Sequence, residues 1–145
     1  MLFVLMTIAG KRYAIDGVKV VEVIPAIDLL PPLQPSVSVI CGEFDYHGKR
    51  IQVLDAGLMV LGEQTPKSLS SRIVILSLRN GDSYLGLLAA EMTETMRLDI
   101  DHEQVDAEAA QMTVDITIPA STEHIAMSKL RVLNPLYLYN LIADG

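Results

Sequence analysis

The apolar residues of this chain come in short runs, many of them β-branched, separated by glycine, proline and charge, which is a pattern of strands rather than long helices. Leu2 to Ala9 reads as a strand closed by Gly10-Lys11-Arg12, and Tyr13-Ala14-Ile15-Asp16 resumes as the second arm of a hairpin. Val18 to Ile24 is valine-rich and suits a pleated surface. Pro25, Pro31, Pro32 and Pro35 then interrupt the chain. Proline lacks the N–H that a central strand or a helix interior uses, so this stretch is read as a loop to about Ser38. Val37 to Ile40, Glu43 to Tyr46 and Arg50 to Leu54 are three short strands, the last two joined by the turn His47-Gly48-Lys49.

Gly62 to Ser71 is polar, holds Pro66 and reads as an exposed loop. The dense run Arg72 to Leu78 ends at Arg79-Asn80-Gly81-Asp82, where Asn-Gly signals a tight hairpin, and Ser83 to Ala90 returns. Glu91 to Leu98 is strand or a turn of helix, with Thr93 and Thr95 favouring strand. Asp99 to Gln111 is acidic and reads as a solvated loop with some helix, Met112 to Ile118 alternates as a strand, and Leu136 to Ile142 after Asn134-Pro135 reads as a C-terminal helix with proline in its first turn. Two segments share one order: apolar strand, Gly, two polar residues, Tyr, apolar strand. Tyr13 and Tyr84 stand 71 residues apart, as do Gly10 and Gly81. The reading is two similar lobes of short strands in tandem, packed together because half of this chain is too small for a core of its own, with the two tyrosines expected in equivalent, buried positions.

Half of the 145 residues are hydrophobic while only 5% are aromatic and none is Trp, so aliphatic side chains must fill the core, and more apolar surface exists than a small monomer hides easily. A partner interface is the default consequence. The formal charge of −7 would repel a phosphate backbone, which argues against nucleic acid. A single cysteine, Cys41, rules out an internal disulfide and reads as a small buried hydrophobe. The run Leu2 to Met6 is too short for a signal peptide and no stretch approaches the ~20 apolar residues of a membrane span, so a cytoplasmic, soluble protein is expected.

Chemistry is sparse. His47, His102 and His124 are too far apart for a local metal motif. Gly81-Asp82-Ser83-Tyr84-Leu85-Gly86 places its second glycine one residue too far from Ser83 for a nucleophile elbow. No phosphate-binding glycine motif occurs, and Asp16, Glu22 and Asp55 stand singly without a paired acid. No nucleophile with a base is visible, so no catalytic residue, metal or cofactor is expected.

The order Phe3-Val4-Leu5, Tyr13-Ala14-Ile15-Asp16, Val20-Val21-Glu22-Val23-Ile24, Pro35, Gly42, His47-Gly48 and Gln52-Val53-Leu54-Asp55 resembles the CheW family of bacterial chemosensory coupling proteins. The second half, from Ile73-Val74-Ile75-Leu76 through Gly81 and Leu85-Gly86-Leu87 to Glu94-Thr95, is similar to that family's corresponding segment. The resemblance covers the chain to about residue 100 and thins beyond it, although Asn134 to Ile142 stands where a C-terminal helix of the family would. It implies a mainly β fold of two small five-stranded β-barrel lobes on a shared core with a short C-terminal helix, one domain over residues 1–145. Lobe one would span about 1–62 plus the C-terminal segment, and lobe two about 72–125.

It further implies a non-catalytic adapter that binds the regulatory domain of a CheA-type histidine kinase on one surface and the cytoplasmic tip of a chemoreceptor on another. Position by position, Val20 and Glu22 match the Val-x-Glu element, Gly42 a first glycine, and His47 with Gly48 an Arg-Gly pair, all in regions that the family uses for receptor contact. Four departures mark a divergent member: His47 replaces the family's arginine, exchanging a permanent five-donor cation for a weaker, switchable one; Gln52 stands for a proline; Asp55-Ala56 stands for Asp-Leu; and Ala90-Glu91 stands for Val-Asp. The alternative function is a divergent partner- or ligand-binding β-barrel module that has lost receptor coupling.

Overall fold

A computed structural model describes residues 1–32, 39–78, 83–101, 111–118 and 129–143 of the chain. Among the described residues ten strands form in order: β1 (Leu2–Ile8), β2 (Lys11–Asp16), β3 (Val20–Pro25), β4 (Ile40–Tyr46), β5 (Lys49–Asp55), β6 (Arg72–Leu78), β7 (Ser83–Ala89), β8 (Glu91–Arg97), β9 (Thr113–Thr117) and β10 (Lys129–Leu133). A short helix α1 (Ala56–Leu61) follows β5, and α2 (Pro135–Ala143) follows β10. The strands make two five-stranded sheets, β8-β1-β2-β10-β9 and β3-β6-β7-β5-β4. The fold is therefore mainly β with the expected C-terminal helix, but the units are sheets with two edge strands each rather than closed barrels.

The first sheet is split in sequence, whereas the second is built from consecutive strands. The hairpin β1–β2 opens the first sheet, and the chain then crosses to supply β3, β4 and β5 to the second; β6–β7 completes that sheet, and β8, β9 and β10 cross back to the first. Boundaries near residues 62 and 72 thus do not separate the two sheets. Equivalent places are nevertheless filled by equivalent elements: each hairpin occupies the second and third positions, and its third-position strand pairs in parallel with a strand from the end of one half, β2 with β10 and β7 with β5.

The hairpin pairings fix the internal repeat. Ile8 faces Lys11 across a two-residue turn, whereas Leu78 faces Ser83 across residues 79–82, so the second turn is longer and its Asn-Gly lies outside the described residues. Aligning the two segments on their glycines slips the second arm by one residue, and in a strand one residue is one face. Tyr13 consequently packs in the core shared by the sheets, 3% exposed, while Tyr84 packs half-buried on the opposite face of its own sheet. The expectation that these tyrosines are equivalent is overturned; Leu85 is the residue that shares the shared-core face with Tyr13.

Strand periodicity also explains the three cores. In β1, Phe3 and Leu5 point to a cluster enclosed by the first sheet, with Ala14, Ile116, Leu130 and Val132. In β6, Ile73 and Ile75 point into the matching cluster of the second sheet, with Phe44, Ile51, Val53 and Leu88. The alternate residues Met6 and Ile8 meet Val74, Leu76, Leu78, Leu85 and Leu87 between the sheets, where Leu138 of α2 also packs. Central strands buried on both faces have no polar face to show, which is why Ile73-Val74-Ile75-Leu76 reads as an unbroken apolar run.

Two loops are locked down by side chains. Asp55 ends β5 and caps α1: its carboxylate accepts from the backbone N–H of Gly57 (2.9 Å), Leu58 (3.2 Å) and Thr65 (3.1 Å) and from the Thr65 hydroxyl (2.6 Å), tying the 62–71 loop to the strand end. The loop before β4 lies on that strand through reciprocal backbone bonds between Leu30 and Glu43, 2.8 and 2.9 Å. The buried Glu43 carboxylate pairs with Arg50 at 3.1 Å, and Arg50 also donates to the Pro31 carbonyl. α2 begins at Pro135, with the Asn134 side chain accepting the Leu136 N–H at 3.1 Å.

Two stability effects are expected. A Cβ on Gly42 would stand 2.5 Å from the Leu29 Cβ and 2.8 Å from the Leu30 carbonyl oxygen, so Gly42→Ala pushes the 29–30 loop off β4 and lowers stability by about 1–3 kcal/mol in a urea melt. Ala9 sits at φ 53° beside Gly10 at φ 78°, a backbone that alanine resists and asparagine tolerates. Ala9→Asn should raise stability by about 0.5–1 kcal/mol with an unchanged urea slope.

Candidate functional site

Strand β3 forms one edge of the second sheet, paired with β6 alone. Its pairing is irregular between Val20 and Glu22, so Val21 bulges out of register. Val21 and Val23 stand exposed on this edge, next to Val18, 76% exposed, in the preceding 3-10 turn Gly17–Lys19. Charged solubilising residues are usual on such an edge, and here the aliphatic run is interrupted by a single carboxylate, Glu22.

Glu22 does not stand alone. Tyr46, the last residue of β4 at the other edge of the same sheet, donates its hydroxyl to Glu22 Oε2 at 2.6 Å. The two ends of the sheet are thereby brought together by side chains where no backbone pairing joins them among the described residues. The bond holds the Tyr46 phenol above its ordinary range, first because the proton is shared with the carboxylate, and further because desolvation and the nearby negative charge both oppose phenolate.

The turn after Tyr46 is built from His47 (φ 48°) and Gly48 (φ 81°), with Tyr46 facing Lys49 across it. Positive φ at both central residues is what a type I′ hairpin turn requires; glycine adopts it freely, and histidine is among the side chains that tolerate it. The His47 ring meets the Tyr46 ring edge-on at 4.4 Å, Tyr46 contacts Phe44 at 6.2 Å and Tyr84 at 6.3 Å, and the Lys49 ammonium sits 4.8 Å above the Tyr84 ring. Glu22, Tyr46, His47, Tyr84 and Lys49 form one continuous amphipathic rim.

Of the five residues singled out from the sequence, Glu22, His47 and Gly48 are exposed on this rim. Val20 is half-buried and packs against the shared core. Gly42 is buried beneath Leu29 and Leu30, where it makes room for a loop. Tyr46 was missed, although Glu43-Phe44-Asp45-Tyr46 alternates inward and outward as a strand must; its link to Glu22 spans 24 residues and has no signature in sequence.

A second concavity, a cleft of ≈ 550 Å³, opens between the 26–29 loop, Cys41, Asp55, Lys67 and Leu88. Its reactive groups are committed elsewhere. Burial and, secondarily, the Asp55 charge push the Cys41 thiol up to about 11, so it is protonated at neutral pH, and its S–H donates to the Val53 carbonyl. Both Asp55 oxygens serve the α1 cap and Thr65. Among the described residues no group of three or more His, Cys, Asp or Glu side chains is placed to hold a metal ion.

The rim is thus a surface for contact, made of an edge-strand carboxylate, a tight turn and half-buried aromatic rings. Among solved structures of similar architecture is the scaffolding protein TtCheW from Thermoanaerobacter tengcongensis: 20% identical, covering 92% of this chain and 83% of that one, with a TM-score of 0.66. No curated protein matches the chain. The model of the CheW-like domain matches residues 2–122, a span that takes in both hairpins, both crossings between the sheets and the whole rim. On that match, over most of its length, the chain belongs to the CheW-like domain family.

Proposed function

We propose that this protein is a non-catalytic, cytoplasmic adapter in bacterial chemosensory signalling, coupling a chemoreceptor to a CheA-type histidine kinase. The observation that carries the reading is the bond from Tyr46 to Glu22, which sets Glu22 on the same exposed rim as the neighbouring His47-Gly48 turn, within a CheW-like domain. Two segments that the family uses for receptor contact are far apart in sequence and adjacent in space. Exposed Val21 and Val23 supply apolar area around the carboxylate, and the central carboxylate supplies orientation. No helix among the described residues is long and apolar enough to cross a membrane, and the receptor is where the membrane link would reside.

The regulatory domain of a CheA-type histidine kinase from the same cell should bind with an affinity on the order of micromolar, as suits a transient signalling interface. Absence of binding to both the kinase domain and a receptor-tip fragment in calorimetry at high concentration would overturn the adapter reading. Glu22→Lys should weaken receptor-tip binding by about tenfold or more, about 1.4 kcal/mol, and leave kinase binding unchanged. His47→Arg should tighten receptor-tip binding at pH 7.5 by about 1–2 kcal/mol, because a guanidinium adds bidentate hydrogen bonding to a receptor carboxylate.

A further inference from the structure

The rim contains one contact that neither the family match nor the sequence motif accounts for. The position where the family carries an arginine is His47, and its ring is turned to the Tyr46 ring at 4.4 Å while the Tyr46 hydroxyl engages Glu22. Tyr46 is itself held on several sides: by Phe44, by Tyr84 and by its place at the end of β4. Glu22, in contrast, extends from an exposed edge strand and has a flexible side chain whose rotamers cost entropy to restrict. A fixed donor on a mobile carboxylate sets the direction of that carboxylate before any partner arrives.

We propose that Tyr46 is a positioning residue for docking: it fixes Glu22 through Oε2 and leaves Oε1 to receive a lysine or arginine of the partner, within a collar of Val21 and Val23. The bond holds the Glu22 side chain in one direction, so the ordering cost is met in the free protein rather than on binding. The phenol's elevated proton affinity agrees with a bond that survives at neutral pH. Lys49 stays with the Tyr84 ring at 4.8 Å and the neighbouring His47 with the Tyr46 ring, so both nearby basic groups have contacts of their own on the rim. This assignment rests on the adapter reading and refines its receptor-facing site.

The test uses the full-length chain as wild type, Tyr46→Phe, Glu22→Gln and the double variant. Without any partner, ultraviolet titration should show the Tyr46 phenol, identified as the component lost in Tyr46→Phe, ionising above its ordinary range and returning toward that range in Glu22→Gln. Receptor-tip affinity should fall about 3- to 10-fold in Tyr46→Phe and further in Glu22→Gln, with the double variant no weaker than Glu22→Gln, since Tyr46 acts through Glu22. Kinase binding serves as the control for folding and should not change. Wild-type affinity in Tyr46→Phe, or losses that add in the double variant, would overturn the positioning role while leaving the adapter reading intact. Equal receptor binding by wild type and Glu22→Gln would overturn the docking carboxylate and this proposal together, and retained kinase binding in that case would show that the adapter reading had survived.

Discussion

Everything in this molecule depends on the double burial of its central strands. A strand turns successive side chains to opposite faces, and here both faces of β1, β2, β6 and β7 are covered: one by the curl of their own sheet, the other by the opposing sheet. With few aromatic residues and no Trp, the covering is done by Leu, Ile, Val and Met at close packing, and a one-residue slip in any central strand would exchange its two sets of contacts. The register of the two hairpins therefore governs the positions of the edges, and the edges carry the rim.

The exchange of strands between sheets follows from the same constraint. Neither hairpin makes a sheet alone, because three further strands are needed to wrap its outer face; the second hairpin takes them from the segment just before it, and the first obtains β8, β9 and β10 only after the chain has crossed to the second sheet and back. β3 reaches the second sheet directly after the first hairpin and ends as an edge, with its aliphatic side chains uncovered. Were β3 to remain beside β2, Glu22 would lie in a different sheet from Tyr46, and the rim would not exist.

How much of this was legible in the chain varies with how local the cause is. The strands β1, β6, β7 and β9 announce themselves by composition and alternation, and α2 by Asn134-Pro135 at its start. α1 was not legible because Ala56 to Leu61 continues the apolar run of β5, and its one marker, Asp55 as a cap, reads equally as the end of a strand. β10 is only Lys129–Leu133, too short to stand out before a helix, although it completes the first sheet. The tandem repeat was visible through its glycines and tyrosines but off by one face, since unequal turn lengths cannot be seen without the pairing. Glu22, His47 and Gly48 came from the family likeness, whereas Tyr46 came only from the fold: a hydroxyl and a carboxylate 24 residues apart leave no periodicity to read.

The pairing of β10 has a bearing on how the protein folds. Ala14 in β2 pairs with Val132 in β10, and Leu2 in β1 with Arg97 in β8. Both flanking partners of the first hairpin thus follow the whole of the second sheet in the chain. Phe3, Leu5 and Ala14 gain their cover from strands of large sequence separation, whereas β3 to β7 are consecutive and pair only with one another. The second sheet is thus the local part of the topology, and the first, closed by strands from either side of it in the chain, carries the larger loop-closure cost.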